Sequence, residues 1–455
     1  MSFLSREHTI APPGYNRWKV PIAALCIHLC IGQIYAYSVF NQPLTRLIGI
    51  TAPAAADWKL TQLGWIFSIA LFFLGASAAV FGKWMERVGP RKAMLVAALC
   101  FSSGFFISAL GVQLHQIWLL YLGSGVIGGI GLGIGYISPV STLIKWFPDR
   151  PGMATGMAIM GFGGGGMIGS PLAVSLMERF SNPASVGVAP TFIVMGVLYL
   201  LIMLTGALLV RVPASDWKPQ GFDAAAVKIK RLVTQSHVLA DQAIKTPQFY
   251  LLFFVLMLNV TAGIGVLGQA SVMIQELFSV ESVGAERAVD AGAAAGFVML
   301  LSLFNMVGRF IWSSLSDKIG RKNTYTIFFS MGILLYAAVP SIGASGSLVL
   351  FIAAFAVIIS MYGGGFATIP AYLRDLFGTR QVGAIHGRLL LAWSMAAILG
   401  PVMINYMRQY QLDVAGLPRA EVYSLTMYLM AGLLALGLIS NLLVRPVEEI
   451  HHEKE

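Results

Sequence analysis

The stretch that decides the fold is residues 296–325, GFVMLLSLFNMVGRFIWSSLSDKIGRKNTY. It begins as a long apolar segment that contains one arginine, Arg309, and it ends in a short charged loop at 316–322. An arginine keeps its charge in proteins, and placing it at membrane depth costs between about 3 and about 10 kcal/mol. Such a residue usually faces a cavity or a partner group, so Arg309 is a candidate for a functional site.

The composition is that of a membrane protein. Of the 455 residues, 57% are hydrophobic and only 11% are charged, whereas soluble domains carry about 25% charged residues. A soluble protein of this length needs more polar residues to cover its surface. The apolar runs are long and continuous and do not alternate, so we expect an all-α membrane protein and not a barrel.

The apolar runs provide about twelve transmembrane helices, since one span needs about 20 apolar residues. We place them near 18–40, 61–82, 93–112, 117–142, 153–177, 190–211, 247–272, 290–313, 323–342, 347–371, 382–407 and 421–444. The expected organisation is an N-terminal six-helix bundle (1–211), a central cytoplasmic loop (212–246) and a C-terminal six-helix bundle (247–455).

The basic residues predict the orientation of these spans. When both termini are placed inside, roughly 23 of the 30 Lys and Arg fall on the inner side and about six outside, as the positive-inside rule requires. The net charge of +10 is thus a topology signal, and we expect no nucleic-acid partner. We predict a multi-pass protein of the inner (plasma) membrane, monomeric in the bilayer, with both termini in the cytoplasm.

Other classes of site have little support in the sequence. The three cysteines lie in apolar segments and suggest neither a disulfide framework nor a metal site. The glycine-rich stretch 161–166 lies in mid-span with no following Lys-Ser/Thr pair, unlike a phosphate loop. We find no nucleophile with a base, so we expect no enzyme, no catalytic residues and no cofactor.

A short charged loop occurs at the same place in each half. GKWMERVGPRK (82–92) follows the second span, and SSLSDKIGRK (313–322) follows the eighth. Each loop contains an acid, a basic residue, a glycine that permits a sharp turn, and Arg-Lys. Two copies at matching positions indicate duplicated halves related by an axis along the membrane normal. The residues expected to act in conformational gating are Gly82, Glu86, Arg87, Gly89, Arg91, Asp317, Lys318, Gly320 and Arg321.

These features resemble the major facilitator superfamily. Within it, the chain resembles the oxalate:formate antiporter family and, more distantly, the monocarboxylate transporters. The resemblance covers nearly the whole chain and implies two pseudo-symmetric six-helix bundles that transport small organic anions. The segments that carry it, besides the repeated loops, are GQIYAYSVFNQP (32–43), GIGYISPVSTLIKWFPDRPGMATG (133–156), GFGGGGMIGSPL (161–172), GRFIWSSLSDKIGRKN (308–323) and YGGGFATIPAYLRDLFG (362–378).

Arg309 is the candidate anchor for a carboxylate. It lies about eight residues before Asp317, about 12 Å along a helix, which is too deep for easy snorkelling to the inner surface. A guanidinium offers a planar two-pronged donor that matches a carboxylate. The resemblance implies the same role, because an arginine at this place in the eighth span engages the carboxylate in both related families.

Two positions differ from what the resemblance implies. Oxalate carriers have a lysine at the place of Trp393, and monocarboxylate transporters have an acid at the place of Asn305. With one fixed positive charge, a monoanion leaves the site neutral, while a dianion leaves an unpaired charge. We therefore expect monocarboxylates as substrates, with an oxalate-type dicarboxylate exchanger as the alternative.

The coupling mode stays open between symport, exchange and uniport. Asn305 cannot take up a proton, so coupling to protons would need His28, His386, the substrate's own carboxyl or Glu276 near a span end. His28 is equally explained as a packed helical histidine. A membrane sensor on a transporter scaffold is a remote alternative, because the central stretch of about 34 residues is too short for an output domain of about 50.

Aromatic and polar side chains complete the candidate site. The resemblance implies an aromatic cage that excludes water and offers hydroxyl groups to the substrate. Tyr362 and Phe366 are one helical turn apart and share a face. The expected substrate-binding residues are Arg309, Tyr35, Tyr136, Tyr362, Phe366, Trp393, Phe162, Asn305 and Gln33. Glycines crowd the fourth and fifth spans, and we expect both spans to pack closely and to rock against the other half.

Overall fold

A computed structural model describes residues 5–215, 217–221, 232–234, 236–418 and 421–453. Twelve helices in this part of the chain are long and apolar enough to cross a membrane. We number them in chain order: α1 Arg17–Leu44, α2 Gln62–Val88, α3 Pro90–Gln113, α4 Ile117–Trp146, α5 Pro151–Phe180, α6 Val188–Leu209, α7 Pro247–Leu277, α8 Ala291–Ile319, α9 Arg321–Ala344, α10 Leu348–Phe377, α11 Val382–Asp413 and α12 Ser424–Leu443. Much of the expected central loop, 222–231, lies outside the described residues.

Every expected span coincides with one of these helices, and the predicted all-α fold is confirmed. Most of the helices extend beyond the expected bounds, whereas α12 is shorter and α6 ends two residues early. The helix α2 runs on to Val88, where Gly89 has φ +85°, and α8 runs on to Ile319, where Gly320 has φ +89°. L-residues with side chains rarely adopt this conformation, so the prediction that these two glycines form the turns is confirmed.

Three spans depart from regular α geometry. In α1 the α-helix Val20–Ile31 gives way to a 3₁₀ segment, Gly32–Phe40, and α4 contains a π-helical segment, Tyr121–Ile127. The helix α11 is divided at Leu390, which separates a first segment that ends at Leu389 from a longer second one. Such irregular turns inside long helices often mark functional positions.

Both termini lie at the same end of the bundle. The backbone amide of Ala11 donates to the carbonyl of Val212, and the amide of Glu453 donates to the carbonyl of His237, so both terminal segments contact the central stretch. The loops after α2, α4, α8 and α10 lie at this end too, since the spans alternate in direction. We call this end the basic face.

The first six spans meet the last six through close helix contacts. Between α5 and α8, a Cβ added at Gly156 would lie 2.1 Å from the Ser313 hydroxyl oxygen. Between α2 and α11, a Cβ added at Gly387 would lie 2.1 Å from the Ala78 carbonyl oxygen. Glycine is needed at both positions because the neighbouring helix occupies the space of a side chain.

Two side-chain hydroxyl groups donate hydrogen bonds between the same two groups of spans. The Thr155 hydroxyl of α5 donates to the Ala367 carbonyl of α10 at 2.6 Å, and the Ser394 hydroxyl of α11 donates to the Leu71 carbonyl of α2 at 2.9 Å. Since both bonds end on helix carbonyl groups, they bring the helix backbones of the two groups close together.

The glycines of α4 and α5 have different neighbours. In α4 the atoms nearest to an added Cβ belong mostly to α2 and α3, as at Gly129 beside Ala70, and at Gly135 also to α1. In α5 some glycines face α1, as Gly165 does, but Gly163 faces Arg309 of α8. In this structure the glycines of α4 thus pack within its own half, while those of α5 face both halves, and the expected rocking of the two spans stays a prediction.

The two repeated loops share a turn but have different polar partners. The Asp317 carboxylate accepts from the backbone amides of Gly152 and Met153, both at 2.8 Å, and so caps the start of α5. In the other copy, Glu86 accepts from Lys145 of α4 at 2.8 Å. The acid of the second loop thus links the two groups of spans, while that of the first loop stays within its own group.

The remaining loop residues are divided between the interface and the surface. Arg321 donates to Asp317 at 2.6 Å and to Asp375 at 3.2 Å. A Cβ added at Gly82 would lie 2.8 Å from the Cα of Ala384. Other members of the predicted gating set are buried, as Arg91 is, or exposed, as Arg87 and Lys318 are.

Asp241 forms a second link at the basic face. It lies in the short helix Ala240–Ala243 of the central stretch, and its carboxylate accepts from Lys83 of α2 and, at 2.6 Å, from Arg388 of α11. The hydrogen bond from Lys83, followed by that from Arg388, lowers the pKa of Asp241 to about 2. The link is therefore present at neutral pH and is lost only as the pH falls through this pKa.

We predict that replacing Gly387 by Val separates α2 from α11 at the basic face, because a helix carbonyl cannot move away cheaply from the added Cβ. Spin labels at two exposed positions of the basic face, Lys92 and Asn323, would report the change as a longer interspin distance, in a background without the native cysteines. Gly432→Val is the control, since no atom lies within 4 Å of its added Cβ. An unchanged distance in Gly387→Val would contradict this account of the interface.

Candidate functional site

Arg309 is fully buried in α8, with 0% of its surface exposed. Its Nε donates to the side-chain oxygen of Asn305 one turn earlier, at 3.1 Å, and its Nη2 donates to the Tyr35 hydroxyl of α1 at 3.5 Å. The guanidinium carbon lies 5.3 Å from the ring centre of Phe366 and 5.7 Å from that of Phe162. Cation–π contacts of this kind stabilise the charge only partly. Among the described residues, no carboxylate forms an ion pair with Arg309.

Small residues allow this arginine to be enclosed. A Cβ added at Gly163 of α5 would lie 3.1 Å from Nε of Arg309. A Cβ added at Gly308 would lie 2.2 Å from the Ser360 carbonyl oxygen of α10. These glycines let α5 and α10 approach α8 from two sides, so the guanidinium is shielded from lipid and from water.

Aromatic side chains from both groups of spans surround Arg309. Trp393 of α11 lies at the centre, with ring-centre distances of 4.5 Å to Phe366, 5.6 Å to Phe162 and 5.6 Å to Tyr136. The ring centres of Tyr35 and Phe162 are 5.1 Å apart, and those of Phe366 and Tyr362, both in α10, are 5.3 Å apart. The set that we call the aromatic cage is Tyr35, Tyr136, Phe162, Tyr362, Phe366 and Trp393.

Four buried polar atoms of Arg309 and the aromatic cage lack a hydrogen-bond partner among the described residues. They are Nη1 of Arg309, the hydroxyls of Tyr136 and Tyr362, and the indole nitrogen of Trp393. All four can donate a hydrogen bond, and each buried donor left unpaired costs about 1–3 kcal/mol. Donors gathered around a guanidinium are suited to an anion with several acceptor oxygens.

The polar residues predicted for the site have different surroundings. Asn305 contacts the guanidinium itself, so it holds the arginine in place and its oxygen is already engaged. Gln33 accepts a hydrogen bond from the Tyr199 hydroxyl of α6 at 3.0 Å and lies against Gly169 of α5. The structure thus puts Gln33 between helices of the first group, with Tyr199 and not the guanidinium as its polar partner.

Two buried histidines adjoin the cage. The ring of His28 stacks on Tyr136 with a centre distance of 5.4 Å, and the ring of His386 lies 5.8 Å from the same tyrosine. From the sequence we predicted both histidines only as candidates for proton coupling and not as neighbours of the substrate site. A signal was present for His386, because it precedes Trp393 by about two helical turns and so shares its face.

The other candidate for proton coupling lies elsewhere. Glu276 is near the end of α7 opposite the basic face, where it accepts from the Tyr423 hydroxyl at 2.5 Å and from Nε of Arg408 at 3.0 Å. Its charge is matched by an arginine, and its contacts join α7, α11 and the start of α12. These hydrogen bonds hold the ends of the three helices together.

Comparison with known proteins places the chain in a family. The model of the Major Facilitator Superfamily matches residues 29–401 and 302–455. The oxalate:formate antiporter of Oxalobacter formigenes is 27% identical over 388 residues, which cover 85% of this chain and 83% of the antiporter. Human monocarboxylate transporter 11 is 23% identical over 404 residues, which cover 87% of this chain and 78% of that protein. Both relatives are transporters and not enzymes.

A solved structure has the same fold. The fucose:proton symporter of E. coli superimposes with a TM-score of 0.64 at 15% sequence identity, covering 94% of this chain and 98% of the symporter. At this identity the likeness concerns the fold alone. The family model, the relatives and the twelve spans agree with the resemblance that the motifs indicated. The chain belongs to the Major Facilitator Superfamily and is a multi-pass membrane transporter.

Proposed function

We propose that the protein is a secondary transporter of small organic anions, chiefly monocarboxylates, and that Arg309 anchors the carboxylate. One observation carries the proposal: a fully buried guanidinium without a carboxylate partner in the described residues, beside unpaired donors. A bound carboxylate accepts from the free Nη1 of Arg309 and balances its charge. The hydroxyl of Tyr136 and the indole N–H of Trp393 then offer further bonds.

The charge of the site favours a monoanion. Arg309 is the fixed cation, and Trp393 contributes a neutral N–H where the related oxalate carriers have a lysine. A monocarboxylate makes the enclosed pair neutral, while a dianion leaves a negative charge among aromatic rings whose faces are themselves negative. The oxalate:formate antiporter relative favours a dicarboxylate exchanger as the second candidate.

The anchor and the closure at the basic face lie on one surface of α8. Arg309, Ser313 and Asp317 follow one another at four-residue spacing, so they face the same direction. Ser313 and Asp317 contact the start of α5, and Arg309 contacts its middle. In this proposal, bundles at 1–211 and 247–455 rock about the substrate, and the contacts between α5 and α8 open when it leaves through the basic face.

We further propose that the basic face is cytoplasmic and that the protein resides in the inner membrane. The support is the excess of Lys and Arg in the loops of this face over those at the other end. The loop residues around Asp317 and Arg321 would then open and close the cytoplasmic entrance.

The anchoring role of Arg309 can be tested by substitution. Replacing it by Ala is expected to abolish the uptake of labelled monocarboxylates into proteoliposomes. Losing one partner of a buried charge pair costs about 2–5 kcal/mol, which is about 30-fold or more in affinity. Arg309→Lys keeps the charge but not the two-pronged geometry, so we expect weak residual uptake. Gel filtration and thermal unfolding would establish that the variants fold, and undiminished uptake by folded Arg309→Ala would refute the site.

The selectivity for monoanions can be tested by competition. Excess oxalate should compete poorly with a labelled monocarboxylate in the native protein, and Trp393→Lys should make oxalate an effective competitor, because it adds a second cation to the site. Trp393→Gln removes the ring without adding charge and is the matched control. If oxalate already competes well with the labelled monocarboxylate in the native protein, the dicarboxylate exchanger is the better candidate function.

The substrate itself can be identified through ligand-induced stability. A ligand that binds the folded state stabilises it by RT ln(1 + [L]/Kd), so binders raise the unfolding temperature. We predict that monocarboxylates in a thermal-shift panel raise it more than dicarboxylates at equal concentration. The shift should vanish in Arg309→Ala, and a shift that persists in this variant would place binding elsewhere.

A further inference from the structure

His28 lies in the middle of α1, fully buried, with backbone carbonyls at both ring nitrogens. Its Nδ1 contacts the carbonyl oxygen of Ala158 in α5, and its Nε2 lies 3.1 Å from the carbonyl oxygen of Tyr136 in α4. A neutral imidazole has one N–H donor and one bare acceptor nitrogen. It can donate to only one of these oxygens, and its bare nitrogen then faces the lone pairs of the other. An imidazolium donates to both.

The two carbonyls belong to the helix segments that build the aromatic cage. Ala158 precedes Phe162 by one turn of α5, and Tyr136 is itself a cage residue whose ring stacks on His28 at 5.4 Å. Gly161 makes the approach of α1 to α5 possible, since its added Cβ would lie 3.2 Å from Cβ of His28. The His28 ring therefore contacts the backbone of both helix segments that carry Tyr136 and Phe162.

Few charges act on this ring from the elements packed around it. From α8 comes the positive charge of Arg309, and from α11 comes the imidazole of His386. The helix α4 contributes Tyr136, whose ring stacks on His28. Among the described residues, no Asp or Glu contacts His28 to balance a proton.

We propose that His28 is the proton-binding site of the transporter, which takes up a proton when a carboxylate binds at Arg309 and releases it when the carboxylate leaves. This proposal rests on the proposed function. In the empty site, burial and the charge of Arg309 both oppose a second positive charge. A bound carboxylate cancels the charge of Arg309, and the two carbonyl groups then hold the imidazolium.

The charge balance suits a symporter of a proton and a monocarboxylate. The empty site carries the single positive charge of Arg309. The loaded site carries Arg309, the carboxylate and protonated His28, which again sum to one positive charge. The moving helices therefore enclose the same net charge in both states, and neither transition requires an additional charge to cross the low-dielectric interior.

The other two titratable candidates lack this arrangement. The Nε2 atom of His386 is without a hydrogen-bond partner in the described part of the chain, so no pair of acceptors favours its protonated form. Glu276 is paired with Arg408 at the end of α7 that lies opposite the basic face. His386 thus provides a second buried imidazole beside the same tyrosine, and it is a matched control.

The first test measures carboxylate affinity against pH for the full-length protein in detergent, with the tightest binder among formate, acetate, lactate and pyruvate. Linkage requires that uptake of one proton weakens binding by up to about tenfold per pH unit as the pH rises. We expect this dependence in the native protein and in His386→Gln. In His28→Gln, binding should persist at one affinity across pH 5.5–8, because glutamine donates and accepts but cannot gain a proton.

The second test observes the proton directly. Histidine ¹⁵N resonances distinguish a ring with one protonated nitrogen from a ring with two, and the signals missing in His28→Gln identify this residue. Adding the carboxylate at constant pH should convert His28 from one protonated nitrogen to two. Binding that depends on Arg309 while His28 stays neutral, or a pH dependence that survives in His28→Gln, overturns this proposal alone. If no carboxylate binds at any pH, the proposed function fails, and the coupling fails with it.

Discussion

The rest of the structure depends on one constraint, which is a permanent positive charge enclosed between the two groups of spans. Arg309 cannot release its proton, and neither lipid nor water stabilises it where it lies. The protein provides a side-chain amide, a hydroxyl and two ring faces, which together amount to less than a full negative charge. In the proposed function an anion supplies the missing negative charge, and this is the physical basis of the proposed selectivity.

The helix α8 connects this charge with the movement expected of a transporter. Its surface toward α5 carries the anchor and, two turns further on, the carboxylate that caps the start of α5. A helix is stiff over such a distance, so a displacement of α8 at Arg309 also changes the contacts at Asp317. In the proposed function, binding at the centre and closure at the basic face are therefore coupled through this one helix.

Two of the three irregular helix segments lie where helices approach the site. The 3₁₀ segment of α1 contains Tyr35, and the division of α11 at Leu390 lies between His386 and Trp393. A regular α-helix would fix the angle between successive side chains along each span. A change of helix type re-aims a side chain toward the guanidinium or the cage without moving the whole span.

The sequence by itself determined the membrane class, the number of spans, the duplicated turns at Gly89 and Gly320, and the unusual position of Arg309. These features depend on composition and on neighbours along the chain. The tertiary structure alone decided that Asp317 caps α5, that Gln33 bonds Tyr199, and that His28 lies between two carbonyls. Spans that are apolar on every side carry no periodic pattern to fix how each helix is rotated, and only packing between distant helices decides which side chains meet.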